Sequence, residues 1–169
     1  GAISVQSYQV NAYAPEETAL LEMLASHAAA AIENARLLEE AQQHKLAAIC
    51  ERLDLQPTDK VVEIGTGWGA FAVYAAKHYG CHITTTTISE EQHAYVKALI
   101  EKEGLQQHIT LLKQDYRELD GQYDKLVSIE MIEAVGHAYL SGFFTKCNDL
   151  LKPTGAMLIQ AITIACPRY

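Results

Sequence analysis

A glycine-rich turn is the first place in the sequence whose residue types suggest chemistry. Residues 63–69 read EIGTGWG and close an apolar run at 60–64 of the kind found in buried parallel strands. Glycines permit a tight turn and let a ligand approach the backbone, while the start of a following helix offers free amide groups. A purely structural turn uses the same residues, so the neighbouring segments must decide between the two interpretations.

The spacing of these glycines indicates which ligand to expect. A dinucleotide-binding turn reads G-x-G-x-x-G, whereas this one reads G-x-G-x-G after an acid, a pattern typical of nucleoside-binding methyltransferases. We expect Glu63 to accept hydrogen bonds from, or through, the ammonium end of S-adenosylmethionine, and Gly65 and Gly67 to make room for it. The residues assigned to the cofactor here are Glu63, Gly65, Thr66, Gly67, Trp68 and Gly69.

A second loop, TISEEQ at residues 87–92, follows the next predicted strand. Ser89 is a natural N-cap, and the acids after it suit the positive end of a helix. Many nucleoside-binding folds place an acid at this strand end to hold the ribose hydroxyls, but Thr87 stands there instead. Gln92 is therefore the best candidate for the ribose. The residues assigned to the cofactor in this loop are Thr87, Ile88, Ser89 and Gln92.

The third loop reads QDYR at residues 114–117. At the end of a third strand, side chains can reach an adenine ring: Asp115 is suited to accept from the exocyclic amine, Tyr116 to pack nearby, and Arg117 completes the group. Open α/β sheets bind ligands at the carboxyl ends of their strands. Three loops at one such edge together predict a cofactor site.

Two acids three residues apart follow the fourth predicted strand. We expect Glu130 to lie near the cofactor and Glu133 to project into the space where a methyl acceptor must sit. The alternative interpretation is that both carboxylates only cap or solvate their loop.

Alternating strands and helices must position these loops. The predicted strands are 60–64, 83–88, 109–114, 123–130 and 155–164, and the predicted helices are 69–79, 90–103 and 139–151. This alternation implies right-handed crossovers and a parallel sheet with helices on both faces. The fold class is therefore α/β, a Rossmann-like class I methyltransferase core of about five strands.

The residues before this core have a different sequence pattern. Residues 3–8 alternate as in one short strand, and Pro15 followed by two acids begins a helix well. Apolar residues then recur three or four apart, which predicts one apolar stripe on a helix that continues to about Leu53. The residues of this stripe are Leu20, Leu24, Ala28, Ala31, Ala35 and Leu38. Such a helix needs a partner, either the rest of the chain or a second copy in a homodimer.

Composition narrows the class of protein further. The net charge of −8 argues against nucleic acid, which needs clustered cations, and against binding anionic lipid by charge alone. The four cysteines never form CxxC, and Gly80 separates His78 from His82, so we predict no metal site and a reducing, cytoplasmic setting. No apolar run approaches the length of a membrane span.

Four segments together resemble the cyclopropane-fatty-acyl-phospholipid synthases and their mycolic-acid-modifying relatives. They read VVEIGTGWGAFAVYAAKHYGCHITTTTISEEQ, LLKQDYREL, YDKLVSIEMIEAVGH and NDLLKPTGAMLIQAIT, and the likeness covers residues 43–169. The resemblance implies an S-adenosylmethionine-dependent enzyme that transfers a methylene to a cis double bond of a phospholipid acyl chain. It also implies work at a membrane surface, peripherally at the inner face.

The resemblance further implies how the reaction is completed. The alkene attacks the sulfonium methyl, and the resulting carbocation loses a proton before the ring closes. In this family a bound bicarbonate takes that proton, held by groups that match Glu133, Gln160 and Ile162. Some members carry histidine where this chain has Gln160, and an amide cannot titrate.

Residues 1–42 resemble the C-terminal strand and helix of a GAF domain, on the segments GAISVQSY, NAYAPEE and LLEMLASHAAAAIENARLLEEA. We therefore expect a partial GAF-like region at 1–42 and a truncated methyltransferase core at 43–169. The sheet should then lack its C-terminal strands and end at an exposed edge, and the chain should bind cofactor but be catalytically incomplete. Two alternatives stay open: a methyltransferase of a small soluble acceptor, or a dimerising sensory module with a passenger domain.

Overall fold

The computed structural model describes residues 13–163, and the chain divides into two compact units between Lys45 and Leu46. The strand predicted at 3–8 lies outside the described residues. The helices are Pro15–Arg52 (α1), Ala70–Tyr79 (α2), Glu90–Glu103 (α3) and Leu140–Leu150 (α4). The strands are Lys60–Ile64 (β1), His82–Thr87 (β2), Ile109–Lys113 (β3), Tyr123–Ile129 (β4) and Leu151–Gln160 (β5).

The first unit contains most of α1. Proline at its first position needs no hydrogen-bond acceptor, and Glu16 and Glu17 lie in the first turn, where the helix dipole favours acids. The amide of Ala14 also donates to the Glu17 carboxylate at 2.8 Å, which satisfies another polar group at this end. The predicted start at Pro15 and end near Leu53 are both confirmed.

The second unit is built on a five-stranded, fully parallel sheet in the order β3-β2-β1-β4-β5. Strand β1 pairs with β2 on one side and with β4 on the other, so the strand order reverses at β1. Such a switch point leaves a crevice at the carboxyl ends of the strands. The predicted Rossmann-like class I core is therefore confirmed.

Helices cover both faces of this sheet, as predicted. Val61 belongs to a buried cluster with the last turn of α1 and with α2 and α3. Its neighbour Val62 belongs to the opposite cluster, with Phe143 and Cys147 of α4. Alternate residues of a strand point to opposite faces, which is why one apolar run serves two cores.

The last strand differs from its prediction. Strand β5 begins at Leu151, not at 155, and ends at Gln160, while Ile164 lies outside the described residues. Leu151 pairs with Tyr123, and Ala156 with Lys125, so β4 advances two residues while β5 advances five. The extra residues form an irregularity around Pro153, whose missing N–H cannot join a regular ladder. Regular pairing thus starts close to where the sequence predicted the strand.

Candidate functional site

A cavity of about 560 Å³ opens at the carboxyl ends of β1, β2 and β3, within the size range of small-molecule sites. Its walls come from the three predicted loops and from the segment after β4. The predicted residues that line it are Gly65, Thr87, Ile88, Gln92, Asp115, Tyr116 and Arg117. The lining residues that were not predicted are Ile64, Thr86, Gln114, Met131, Ala134, Val135 and Tyr139.

The glycine turn passes close to the segment after β4. Gly65 has φ +94°, and a Cβ built on it would lie 3.2 Å from Cγ of Met131. Both residues line the cavity, so a side chain at position 65 would fill the gap between them. The amide of Thr66 donates to the Thr86 carbonyl at 2.8 Å, which ties the turn to β2. A gap kept open by glycine fits a ligand lying against the backbone.

The hydroxyl of Thr66, in the same turn but outside the cavity lining, is a buried polar group without a partner. The residue is only 3 % exposed, and its Oγ1 has no hydrogen-bond partner within the described part of the chain. Buried polar atoms are normally satisfied, and an orphaned one calls for an explanation such as a bound group.

Glu63 lies beneath this turn and does not line the cavity. Its side chain is 2 % exposed and accepts a hydrogen bond from the Thr85 hydroxyl at 2.6 Å. Burial raises the pKa of Glu63 to about 8, and the Thr85 hydrogen bond lowers it by a smaller amount. The structure therefore presents an acid held in its neutral form beside the turn, not a carboxylate facing the cavity.

The second loop is held by its own hydrogen bonds. Ser89 caps α3 as predicted, because its side chain accepts from the amide of Gln92 at 3.2 Å. The side chain of Gln92 lines the cavity and accepts from the Thr87 hydroxyl at 2.7 Å. Ile88 also lines the cavity and is 76 % exposed, which places it at the mouth.

In the third loop the carboxylate of Asp115 already has a partner. It accepts from the backbone amide and the guanidinium of Arg117, at 2.9 and 2.6 Å. These hydrogen bonds hold the pKa of Asp115 below its usual range, so the group is ionised. The ring of Tyr116 packs edge-on against Phe143, 5.5 Å between centroids, which fixes it as part of the wall.

Seven of the residues assigned to the cofactor lie outside the cavity lining: Glu63, Thr66, Gly67, Trp68, Gly69, Ser89 and Glu130. Trp68 is 59 % exposed and contacts the ring of Tyr95, 5.3 Å between centroids. Glu130 has φ +51°, and its amide donates to the Gln160 carbonyl at 2.8 Å. Their roles toward a cofactor stay predictions.

The three residues assigned to catalysis lie at neighbouring strand ends. Glu133 Oε1 accepts from the amide of Ile162 at 2.5 Å, so the segment after β4 touches the segment after β5. Gln160 is the last residue of β5, and its buried Oε1 has no partner among the described residues. A carboxylate and an amide N–H thus meet here, and the orphaned acceptor belongs to a residue two positions before that amide.

Four of the seven unpredicted lining residues come from the segment after β4, within or directly beside two short 3₁₀ turns, Ile132–Ala134 and His137–Tyr139. Met131, Val135 and Tyr139 supply apolar surface there. The signal in the sequence that could have identified them is the set of apolar residues that flank Glu133. Thr86 gave no signal, because its hydroxyl donates to the carbonyl of Gln114, 28 residues away in the sequence.

The described residues contain neither a metal-binding cluster nor a helix suited to span a membrane. No group of three or more histidine, cysteine or acidic side chains there is arranged to hold a metal. Within residues 13–163, no helix has both the length and the apolar character of a membrane span.

Curated proteins similar to this chain have names that refer to the modification of lipids. It is 38 % identical over 130 residues to sphingolipid C9-methyltransferase B of Emericella nidulans, covering 76 % of the chain and 26 % of that protein. It is 42 % identical over 125 residues to the cyclopropane-fatty-acyl-phospholipid synthase of Escherichia coli K12, covering 74 % of the chain and 32 % of that protein. The chain therefore spans about a quarter to a third of these relatives.

Solved structures agree on the fold. The cyclopropane synthase MmaA2 from Mycobacterium tuberculosis superimposes with a TM-score of 0.71 at 31 % identity, covering 75 % of this chain and 44 % of that one. The mycolic acid cyclopropane synthase CmaA1, complexed with SAH and CTAB, gives 0.69 at 30 % identity, covering 72 % and 43 %. The GAF resemblance of residues 1–42 stays a prediction.

The sequence profile described as mycolic acid cyclopropane synthetase matches residues 18–168, nearly the whole chain. Together with the parallel sheet and the cavity at its switch point, this match shows that the chain belongs to the mycolic acid cyclopropane synthetase family.

Proposed function

We propose that this chain binds S-adenosylmethionine in the cavity at the carboxyl ends of β1, β2 and β3, as part of a methyltransferase that acts on a lipid acyl chain. The observation that carries the proposal is the family match together with a cavity at the strand ends that the sequence singled out. Solved methyltransferases with this fold include proteins crystallised with SAH.

The lining residues suit the chemical parts of this cofactor. Gly65 leaves the backbone open to the methionine end, Gln92 can donate to a ribose hydroxyl, and Asp115 and Tyr116 border the place of the adenine. Neutral Glu63 next to the turn can give up its proton when an ammonium group approaches, because an opposite charge lowers the pKa of a carboxyl. S-adenosylmethionine, when bound, supplies an electrophilic methyl group.

A bicarbonate site at Glu133, Gln160 and Ile162 is the finer part of the proposal. In the proposed complex the bicarbonate hydroxyl donates to the Glu133 carboxylate, and the Ile162 amide, which donates to Glu133 in this structure, donates to a bicarbonate oxygen instead. The side-chain amide of Gln160, whose Oε1 is orphaned, can also hydrogen-bond the anion. The anion would supply a base of modest strength and a negative charge beside a developing cation.

The substrate we propose is a cis-unsaturated acyl chain of a phospholipid, reached at the surface of a bilayer. Support comes from the names of the relatives, although one of those named is a sphingolipid methyltransferase. We also propose that α1 mediates a homodimer, because large apolar side chains are exposed along it.

Calorimetric titration with S-adenosylhomocysteine tests the cofactor site. We expect saturable binding by the wild type and a loss of about tenfold or more for Gly65→Ala, since the new Cβ narrows the gap to Met131. Gly104→Ala is the matched control: it has a similar positive φ of +68°, but nothing lies within 4 Å of its Cβ and it is outside the cavity. Wild-type protein without binding would contradict the proposal.

Transfer of label from the cofactor tests the substrate class. Vesicles of cis-unsaturated phospholipid, vesicles of sphingolipid and a set of soluble amines and phenols are offered in parallel. Label in the phospholipid supports the proposal, and label in the sphingolipid corrects the lipid class. Label in a soluble acceptor alone supports a small-molecule methyltransferase, a class whose coclaurine N-methyltransferase member shares this fold at a TM-score of 0.66 and 25 % identity.

A further inference from the structure

The hydroxyl of Thr87 joins two parts of the second loop. It donates to Oε1 of Gln92 at 2.7 Å and accepts from the amide of Ser89 at 3.2 Å. Thr87 is 7 % exposed and ends β2, whereas Gln92 lies in the first turns of α3. The main chain of Gln92 is also held, because its amide donates to the Ser89 side chain.

These contacts select one orientation of the Gln92 carboxamide. A threonine hydroxyl has one proton to donate, and a glutamine side chain offers one acceptor oxygen and one donor nitrogen. With Oε1 facing Thr87, the hydroxyl proton has an acceptor and the hydroxyl oxygen still accepts from Ser89. In the reversed orientation Nε2 of Gln92 and the amide of Ser89 would both donate to the hydroxyl oxygen of Thr87. The hydroxyl proton would then lose its acceptor, Oε1 of Gln92.

We propose that Thr87 is a positioning residue that acts through Gln92. Its hydroxyl holds the amide oxygen of Gln92, so that Nε2 faces the cavity and donates a hydrogen bond to a ribose hydroxyl. This inference rests on the proposed cofactor. It differs from the usual arrangement, in which a carboxylate accepts from the ribose hydroxyls. Because the donor is oriented before the ligand arrives, binding loses less side-chain entropy.

Four variants test the inference in the full chain. Thr87→Val keeps the shape of the side chain and removes the hydroxyl, Thr87→Ser keeps the hydroxyl, and Gln92→Ala removes the group that is positioned. The fourth variant combines Thr87→Val with Gln92→Ala. We expect S-adenosylhomocysteine to bind about fivefold to tenfold more weakly to Thr87→Val, and nearly as the wild type to Thr87→Ser.

The double variant separates positioning from direct contact. If Thr87 acts only through Gln92, the double variant binds no more weakly than Gln92→Ala alone. An equal further loss in the Gln92→Ala background would overturn the inference, as would wild-type affinity in Thr87→Val.

A ligand-free measurement distinguishes failure of this inference from failure of the cofactor proposal. The side-chain amide of Gln92 should show a high NMR order parameter in the wild type and in Thr87→Ser, and a low one in Thr87→Val. Equal order in the three proteins would refute the positioning role even if the cofactor binds. Ordered Gln92 together with no S-adenosylhomocysteine binding would instead remove the cofactor proposal, and with it the role assigned to Nε2.

Discussion

The buried carboxyl group of Glu63 makes folding stability depend on pH. Its pKa rises from 4.5 to about 8 on folding, chiefly because burial penalises the charged form. Between these values the unfolded chain ionises while the folded chain stays protonated, so the free energy of unfolding falls as the pH rises, by at most about 1.4 kcal/mol per unit. Below pH 4.5 the Glu63 carboxyl is protonated in both the folded and the unfolded chain, so it adds no pH dependence to the free energy of unfolding.

Glu63→Gln should remove this part of the pH dependence, because an amide of the same shape does not titrate. Urea unfolding of both proteins at pH 5, 7 and 9 measures it. We expect the variant to gain stability relative to the wild type as the pH rises, with most of the change complete by about pH 9. A constant difference at all three values would mean that the pKa of Glu63 is not raised.

Glu133→Gln tests the anion site without disturbing the cofactor. The amide keeps the shape and can still accept from the Ile162 amide, but the charge is lost. We expect S-adenosylhomocysteine affinity to stay within about twofold, since Glu133 does not line the cavity. Binding of ¹³C-bicarbonate, followed by line broadening, should weaken clearly, because a carboxylate accepts a hydrogen bond from the bicarbonate hydroxyl more strongly than a neutral amide does. Line broadening equal to that of the wild type would show that Glu133 does not contribute to bicarbonate binding.

Trp68 offers a direct test of its own assignment, because it is the single tryptophan of the chain. It lies in the turn after β1, exposed and in contact with Tyr95, but outside the cavity lining. If the turn closes on a ligand, tryptophan emission should shift on saturation with S-adenosylhomocysteine. Emission that stays constant while calorimetry reports binding would remove Trp68 from the cofactor contacts.

At this scale the sequence predicted the roles that depend on local chemistry. Ser89 was identifiable as a cap because a hydroxyl before two acids suits a helix start. The ion pair between Asp115 and Arg117 and the burial of Glu63 were not identifiable, because both depend on side-chain directions that spacing alone does not fix. Met131 was missed because its role comes from contact with Gly65, a residue far away in sequence.

At the scale of elements, helix α2 is preceded by a glycine that no other residue would replace without strain. Gly69 has φ +82°, and a Cβ on it would lie 3.2 Å from both methyl carbons of Val96 on α3. Gly67 in the same turn has φ +50° with nothing within 4 Å of its Cβ. Substitution of Gly67 therefore tests backbone strain alone, whereas substitution of Gly69 tests strain together with close packing against α3.

Gly69→Ala should cost about 2 to 3 kcal/mol in the free energy of unfolding, from strain plus overpacking against Val96. Gly67→Ala should cost about 1 kcal/mol, from strain alone. Urea titrations of the two variants measure the difference. Equal losses would show that α3 moves away without cost and that the contact is not tight.

The strands and helices were predictable where the apolar period was strong. The bounds of β1 and α3 agree with the sequence pattern, because a buried run and a capped helix leave clear signals. The start of β5 was not predictable: Lys152, Pro153 and Gly155 read as a turn, and only pairing with β4 makes them part of a strand. Tertiary pairing there overrides local preference.

At the scale of the whole molecule, the chain combines a methyltransferase core with a helix whose apolar stripe is largely exposed. The unit 46–169 carries both buried clusters, while the apolar side chains of α1 before Lys45 are largely exposed. Leu24 and Leu38 lie on the predicted stripe and are 51 % and 64 % exposed. The alternation of strands and helices within 60–160 predicted the core. The period of apolar residues in α1 predicts a stripe but does not identify the surface that covers it.

Self-association through α1 is therefore the prediction for the whole chain. Leu24→Glu places a charge on the stripe and should shift the protein from dimer to monomer, because a buried unpaired charge opposes association. Leu37→Glu is the matched control, since Leu37 is 49 % exposed, close to the 51 % of Leu24, but lies off the stripe. Sedimentation velocity should give a dimer for the wild type and for Leu37→Glu, and a monomer for Leu24→Glu. A monomeric wild type, or equal effects of the two substitutions, would show that the stripe does not join two copies.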